Sequence, residues 1–205
     1  MSDYTYETGE TVKFETYEWD RLWWEHANDT ESKNRILIIG DSISCGYRPL
    51  VNQEVADYVD GIGTSKGLDN TSYITLLNYF MDAFSCYKII QFNNGLHGWH
   101  LSEERYEEYY RRLIAHLVQK CPGAKLVLAL TTPVNSGNQK EERNEKIRKR
   151  NEIARKIAQE EGLCVNDLHT PISEHPEFFS QDGVHLTQEG YTTLAKQCAE
   201  LFASL

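Results

Sequence analysis

The feature that most constrains the fold is an unbroken apolar run, Arg35–Gly40 (RILIIG), followed at once by Asp41 and Ser42. Four consecutive aliphatic residues without polar alternation are typical of a strand that is buried on both faces. The turn-prone Gly-Asp-Ser then falls at the carboxyl end of this strand, where open α/β sheets bind their ligands. We therefore predict a central strand that presents a serine to a binding cleft.

Strand-like and helix-like segments alternate from residue 35 onward. The other strand candidates are Ala56–Ile62, Tyr87–Phe92, Lys125–Thr131 and Leu163–Leu168. Helical periodicity is present in Asp69–Phe84, Ser102–Lys120, Glu141–Glu161 and Thr187–Phe202. This alternation predicts right-handed βαβ units, and hence an α/β fold whose central, mostly parallel five-stranded sheet has helices on both faces.

The chain of 205 residues is long enough for one sizeable domain, which we place at residues 35–205. Residues 1–34 form an aromatic-rich N-terminal arm. Two interpretations of the arm remain open: its rings pack over a sheet edge or a helix face, or they form a platform for a sugar ring near the site. The aromatic residues concerned are Tyr4, Tyr6, Phe14, Tyr17, Trp19, Trp23 and Trp24.

The net charge of -10, from 21 basic and 31 acidic residues, disfavours nucleic acid and anionic membranes as partners. No apolar run approaches the roughly 20 residues of a membrane span. The N-terminus lacks the basic start and apolar middle of a signal peptide. We expect a cytoplasmic protein, with a trimmed secreted form as the alternative, and the sequence leaves its oligomeric state open.

The motifs of metal and nucleotide sites are absent from the sequence. The five cysteines are odd in number and none has CxxC spacing, which argues against a disulfide framework and a zinc site. No glycine-rich motif of a phosphate-binding loop is present, so we expect neither a metal nor a cofactor. Cys45 lies three residues beyond Ser42 and is a rival candidate for the nucleophile.

Ser42 needs a base, because a serine hydroxyl is a poor nucleophile near neutral pH. An imidazole can accept its proton, and a carboxylate can fix the tautomer of that imidazole. Asp182 and His185 lie three residues apart, just before the last predicted helix. In a turn, this spacing can place the carboxylate beside Nδ1 and leave Nε2 facing the serine. We predict Ser42 as nucleophile, His185 as base and Asp182 as the orienting acid.

A second polar segment, Asn93–His100, follows the predicted strand Tyr87–Phe92 and so reaches the same edge of the sheet. Acyl transfer needs hydrogen-bond donors aimed at the developing oxyanion, and this segment offers Asn93, Asn94 and His97. We expect the substrate pocket to include the following residues: Asp41, Asn93, Trp99 and Thr132.

Together, these motifs resemble the SGNH, or GDSL-type, serine hydrolases. The resemblance rests on Ile39–Ile43, on the Asn-Gly-rich loop after a middle strand, and on Asp182–Tyr191 (DGVHLTQEGY), and it covers about residues 35–203. It implies a flavodoxin-like three-layer α/β/α sandwich and ester hydrolysis through an acyl-serine. In that family Ser42 matches the nucleophile, His185 the base and Asp182 the acid.

The resemblance also implies an oxyanion hole with three donors. These are the backbone N–H of the nucleophile, a glycine N–H from a second block and an asparagine from a third block of the form Gly-x-Asn-Asp. Here the third block reads Gly-Leu-His-Gly from Gly95, which resembles a branch of the family with His97 at the asparagine position. The alternatives are His97 or Asn94 for the side-chain donor, and Gly61 or Gly63 for the glycine.

These observations predict a serine esterase that removes a short acyl group, such as acetyl, from a carbohydrate or another polar alcohol. Two alternatives share the fold: a lipid or thioester hydrolase, and an acyltransferase. A third alternative, a carbohydrate-binding protein without turnover, would retain the fold but not use the serine. The expected partner in the first case is a small-molecule or oligosaccharide ester.

Overall fold

The computed structural model describes residues 3–5, 11–13, 17–28, 34–84, 87–137 and 140–205. Its main sheet has six strands, which in chain order are β3 (Asp20–Trp23), β4 (Arg35–Gly40), β5 (Tyr58–Thr64), β6 (Ile89–Phe92), β7 (Lys125–Ala129) and β8 (Cys164–Asn166). Their order across the sheet is β3-β5-β4-β6-β7-β8. A separate antiparallel pair precedes them, β1 (Asp3–Thr5) and β2 (Thr11–Lys13).

Helices follow the parallel strands, as the alternating pattern predicts. They are α1 (Ser42–Glu54), α2 (Tyr73–Met81), α3 (Glu103–Lys120), α4 (Lys140–Glu161), α5 (Thr170–Ser173) and α6 (Gln188–Ser204), with a short 3₁₀ turn at Pro176–Phe178. Side chains cap three of them by accepting a hydrogen bond from a backbone N–H of the first turn: Asp41 for α1, Ser102 for α3 and Thr187 for α6.

Strand β4 lies in the middle of the sheet and is buried along its whole length, as predicted. Its alternate side chains enter the two hydrophobic cores of the protein. Leu37 and Ile39 pack with α2 and α3 on one face, whereas Ile36 and Ile38 pack with α1 and α6 on the other. The predicted three-layer α/β/α arrangement is therefore confirmed.

The predicted strand count of five needs one correction. The five parallel strands form, but β3 adds a sixth strand that pairs antiparallel with β5 at the edge of the sheet. The four residues of β3 belong to the N-terminal arm, and only Leu22 among these four is not exposed. An edge strand with so little burial carries no apolar alternation, which is why the sequence pattern does not reveal it.

The arm's aromatic residues have different surroundings in the structure. Trp24 stacks on Phe80 with ring centroids 4.4 Å apart, which fits the packing interpretation. Trp23 is 51% exposed and lies beside a cavity. Tyr6 and Phe14 lie outside the described residues, as does Cys86.

The order of the strands determines where a site can form. The chain moves from β4 to β5 on one side and then returns across β4 to β6 on the other. The loops that leave β4 and β6 at their carboxyl ends therefore diverge, and a crevice opens between them. Ser42 begins one of these segments and Asn93 begins the other. Within the described part of the chain, no helix combines the length and apolarity that a bilayer-spanning helix requires.

Candidate active site

Ser42 is the first residue of α1 and lies directly beyond the carboxyl end of β4. The turn before it is very tight, because a Cβ on Gly40 would lie 2.8 Å from both Cβ and Oγ of Ser44. Asp41 stabilises the turn through a carboxylate oxygen that accepts from the backbone N–H of Ile43 at 2.9 Å. As the first N–H of a helix, the Ser42 N–H has no partner within the helix, so it can serve an oxyanion.

The base comes from a short loop just before α6. The backbone N–H of Ser180 donates to the carbonyl of His185 at 2.8 Å, and Gly183 adopts a positive φ of 66° inside the resulting turn. This turn folds Asp182 back onto His185. One carboxylate oxygen of Asp182 lies 2.6 Å from Nδ1 of His185. The three-residue spacing therefore places the carboxylate beside Nδ1, as the sequence pattern predicts.

The other ring nitrogen of His185 reaches the nucleophile. Nε2 lies 2.9 Å from Oγ of Ser42, across a separation of 143 residues in the sequence. Close packing of α1 against α6 brings the two together: a Cβ on Gly46 would lie 2.2 Å from the ring of Tyr191. Ser42, His185 and Asp182 form one hydrogen-bonded series, as predicted.

Asp182 is ionised in this arrangement. Partial burial of the carboxyl group favours the neutral acid, but hydrogen bonds from the His185 ring, the backbone N–H groups of Val184 and His185 and the Ser180 hydroxyl outweigh that effect. They hold the pKa of Asp182 well below its usual range. The carboxylate can therefore orient His185 and stabilise its protonated form throughout the neutral range.

Cys45, the rival nucleophile, is placed differently. Burial raises the pKa of its thiol, and the nearby Arg21 and Arg48 guanidinium groups only partly offset this effect. The thiolate is the reactive form of cysteine, so a raised pKa disfavours nucleophilic attack. The base, moreover, is hydrogen-bonded to Ser42 and not to Cys45.

The loop after β6, here called the third-block loop (Asn93–His100), is held by a buried cation. Arg150 of α4 is 1% exposed, and its guanidinium donates to the carbonyls of Gly95 at 2.9 Å, His97 at 2.7 Å and Gly98 at 2.7 Å. The same group lies over the ring of Tyr106 at 4.4 Å. One side chain thus determines the path of the backbone on either side of His97.

The two asparagines of this loop already have protein partners. The amide nitrogen of Asn94, a residue 1% exposed, donates to the carbonyl of Lys66 at 2.8 Å. The amide nitrogen of Asn93 donates to the carbonyl of Ala129 at 2.7 Å and contacts the Thr131 hydroxyl at 3.0 Å. Both amides therefore tie the third-block loop to its neighbours. His97 is partly exposed.

The oxyanion role predicted for Gly61 or Gly63 does not fit the structure. Both lie within β5, which has β4 on one side and β3 on the other, so their N–H groups point along the sheet towards paired strands. Their lack of a side chain has another cause: a Cβ on Gly61 would lie 2.5 Å from Cδ of Arg48, and one on Gly63 would lie 2.1 Å from Sγ of Cys45. They are glycines because α1 packs closely over them.

Another glycine occupies the loop at the active-site edge. Gly67 follows β5, and a Cβ there would lie 2.9 Å from the Cα of Gly98 in the third-block loop. Its neighbour Lys66 accepts the Asn94 hydrogen bond. The sequence has three glycines within seven residues, Gly61, Gly63 and Gly67. It does not reveal which of them approaches a loop that starts from another strand.

The remaining pocket residues have structural contacts. Asp41 and Thr132 are buried, at 2% and 3% exposure, and Asp41 caps α1 as described above. Trp99 is half-buried, with the guanidinium groups of Arg143 and Arg150 over its ring at 5.5 and 5.1 Å. Within the described ranges, no group of three or more His, Cys, Asp or Glu side chains is arranged to hold a metal ion.

The sequence did not point to Arg150 as a residue of the site, because an arginine in a helix rich in charge is ordinarily exposed. A signal for its burial existed: Arg150 follows Ile147 by three residues and precedes Ile153 and Ala154 by three and four. These spacings put the arginine on the apolar stripe of α4. A charged residue on the buried stripe of a helix requires polar partners from elsewhere in the fold.

The geometry defines a class of protein: a serine hydrolase, in which a serine, a histidine and an aspartate form one hydrogen-bonded series on an α/β fold. Comparison with known proteins agrees with it. The model of the GDSL-like lipase/acylhydrolase family matches residues 92–193. The chain belongs to this family, whose members are carboxylic ester hydrolases. The matched residues include Asp182 and His185 but begin after Ser42, so the contact between Ser42 and His185 is an observation independent of the family match.

Solved structures show the same fold at low sequence identity. A lipase/acylhydrolase from Enterococcus faecalis is 21% identical, with a TM-score of 0.68 over 83% of this chain and 96% of that one. An acetyl xylan esterase is 18% identical, with a TM-score of 0.64 over 83% and 99%. A mutant acetyl esterase with bound acetate is 13% identical, with a TM-score of 0.68 over 83% and 97%. None of the curated proteins matches the chain.

Proposed function

We propose that this acylhydrolase removes a short acyl group, most simply acetyl, from a carbohydrate or another polar alcohol. The observation that carries the proposal is the series of hydrogen bonds that joins Ser42 through His185 to Asp182. Two further facts support the choice of substrate. Trp23, half exposed, lies beside a cavity near the nucleophile, and an acetyl xylan esterase and an acetyl esterase share the fold.

The proposed reaction has two stages. Oγ of Ser42 attacks the carbonyl carbon of the ester while Nε2 of His185 takes the hydroxyl proton. The bond between that carbon and the alcohol oxygen then breaks, and His185 returns the proton to the departing alcohol. A water molecule next attacks the acyl-serine, with His185 again accepting a proton. The carboxylic acid leaves and Ser42 regains its hydrogen.

The tetrahedral oxyanion needs donors, and we propose the N–H of Ser42, the N–H of Gly67 and the ring of His97. Ser42 N–H is free of helical partners by its position at the start of α1. Gly67 lies at the site edge and packs against the third-block loop. His97 is preferred over Asn94 because the Asn94 amide is buried and donates to Lys66. This assignment would place the chain in a branch of the family with histidine at the asparagine position.

The test compares the wild-type enzyme with Ser42→Ala, His97→Ala and Asn94→Ala on 4-nitrophenyl esters of graded chain length and on acetylated sugars. We expect Ser42→Ala to leave only background turnover. His97→Ala should lose about 10²–10³-fold in kcat with the fold intact, whereas Asn94→Ala should mainly lower the thermal stability. Near-normal turnover by Ser42→Ala would contradict the proposed mechanism. Activity that rises with acyl chain length would favour a lipid hydrolase, and acyl transfer to added alcohols would favour an acyltransferase.

A further inference from the structure

A cavity of about 600 Å³ lies between α1 and the pair of edge strands β5 and β3. Gly61 and Gly63 form part of its lining. Arg21 pairs directly with Gly63 and Trp23 with Gly61, so the side chains of these two β3 residues lie on the glycines' face of the sheet. Arg48 and Cys45 of α1 pack closely over these glycines and line the same cavity. The volume is within the range of small-molecule sites.

The cavity lies beside the first turns of α1, the helix that begins with Ser42. Cys45, which contributes to its lining, follows Ser42 by one turn of α1. Gly63 pairs with Gly40, the residue two before Ser42, and Gly40 and Arg21 are separated by two strand spacings, about 10 Å. A ligand that fills the cavity can therefore extend to Ser42 with a second unit about the size of a sugar.

Two arginines give this cavity a positive charge in a protein whose net charge is -10. Arg48 is 9% exposed and is partly neutralised by Glu25, at 3.3 Å, while it also donates to the carbonyl of Val59 at 2.6 Å. Arg21 is exposed, and no carboxylate of the described residues forms an ion pair with it. Its guanidinium can therefore accept an anionic ligand.

Trp23 adds a fixed aromatic surface to the same cavity. Its indole N–H donates to Glu25 at 2.8 Å, and the guanidinium of Arg48 lies over its ring at 5.1 Å. These contacts hold the ring in one orientation, although half of the residue is exposed. A rigid, exposed indole is suited to stacking against a sugar ring, because the ring contributes apolar area at a low entropy cost.

We infer that the cavity is a subsite for an anionic sugar, whose ring stacks on Trp23 and whose carboxylate binds the guanidinium of Arg21. The inference rests on the proposed function and refines it: the substrate is an acylated saccharide that carries a uronate, and the uronate lies on the alcohol side of the ester. Arginine matches a carboxylate in planar geometry with two parallel hydrogen bonds. A hydrocarbon tail suits the lining less well, because it would remove water from the exposed guanidinium of Arg21 without replacing its hydrogen bonds.

The experiment compares three substrates: an acetylated methyl glucuronoside, the matching acetylated methyl glucoside and 4-nitrophenyl acetate. The enzymes are the wild type, Arg21→Gln and Arg112→Gln. Arg112, an exposed arginine of α3, is the control because its replacement removes the same charge far from the cavity. We expect the wild type to prefer the uronate ester over the neutral ester by about tenfold or more in kcat/KM. Arg21→Gln should lower kcat/KM for the uronate ester to that for the neutral ester. Arg112→Gln should retain both the preference and the wild-type turnover of 4-nitrophenyl acetate.

Two further measurements test whether the preference depends on the charge and on the planar geometry of the Arg21 guanidinium. The preference of the wild type should weaken as salt concentration rises, because an exposed ion pair is screened. Arg21→Lys should restore part of the preference, since it returns the charge without the planar fork of donors.

The outcomes separate the two proposals. Equal kcat/KM on both sugar esters, with normal Ser42-dependent hydrolysis of 4-nitrophenyl acetate, would overturn the subsite and leave the esterase intact. An equal loss on all three substrates in Arg21→Gln would assign the arginine to the fold and would also overturn it. A folded wild-type protein that hydrolyses none of the esters would instead contradict the proposed function itself.

Discussion

The two sides of the active site are held in different ways. On the base side, Asp182 and His185 lie in a short loop and are about half exposed. The hydrogen bonds of the Asp182 carboxylate join residues two or three positions apart. On the other side, the third-block loop is held from a distance. Arg150 reaches it across 52 to 55 residues, and Asn94 binds Lys66 across 28.

This difference predicts which substitutions should lower the reaction rate alone and which should also lower the stability of the fold. A turn closed by its own neighbours keeps its shape when one side chain loses its charge, so damage there should affect the reaction and spare the fold. A loop held by a buried guanidinium loses both its hydrogen bonds and its path when that group is replaced. Substitutions on the two sides should therefore be distinguishable by comparing kcat with thermal stability.

The largest effect should come from Asp182→Asn. The amide cannot hold the His185 ring in the required tautomer, so kcat should fall by about 10⁴. The melting temperature should change little, because the side chain is about half exposed and the asparagine oxygen can still accept from the backbone of the loop. Asp167→Asn is the control, since Asp167 also accepts backbone hydrogen bonds in a loop but lies at the start of α5. Wild-type kcat in Asp182→Asn would contradict the assigned role.

The next effect should come from Arg150. Arg150→Met would leave three loop carbonyls without their donor, at about 1–3 kcal/mol for each buried group left unpaired. We expect a lower melting temperature together with lower kcat. Arg150→Lys should fold better but still lose about tenfold in kcat, because one ammonium group cannot reproduce the geometry of a planar fork.

The control for Arg150→Lys is Arg111→Lys, since Arg111 forms ion pairs with Glu107 and Glu160 on the surface of the helices. Both kcat and the melting temperature of this variant should stay near those of the wild type. If Arg150→Lys retained the wild-type kcat, the guanidinium would not position the third-block loop for catalysis.

The smallest effect should come from Gly95→Ala, for which Gly123→Ala is the control. A Cβ on Gly95 would lie 1.7 Å from the hydroxyl oxygen of Thr131, so Gly95→Ala forces the third-block loop to move. We expect a loss of about 1–3 kcal/mol in the free energy of unfolding, measured by chemical denaturation. Gly123→Ala has no neighbour within 4 Å and should be close to neutral. Equal stability of the two variants would show that the loop is not packed as closely as described.

The sequence was most informative where the geometry is local. An apolar run without alternation predicts the buried strand β4, and Gly-Asp-Ser at its end predicts a serine at the edge of the sheet. The spacing of Asp182 and His185 predicts their contact, because a tight turn brings residues three apart into hydrogen-bond distance. Caps at Ser102 and Thr187 are likewise readable, since each acts within three residues.

Tertiary structure decided what depends on residues far apart in the sequence. The contact of Ser42 with His185 requires α1 to pack against α6, and the packing needs a glycine at position 46. The role of Gly61 and Gly63 changed for the same reason: their neighbours come from α1, and no sequence spacing reveals that approach. Arg150 is the clearest case. Its residue type predicts exposure. In the structure it is buried against carbonyl groups of a distant segment, and it thereby holds the third-block loop in place.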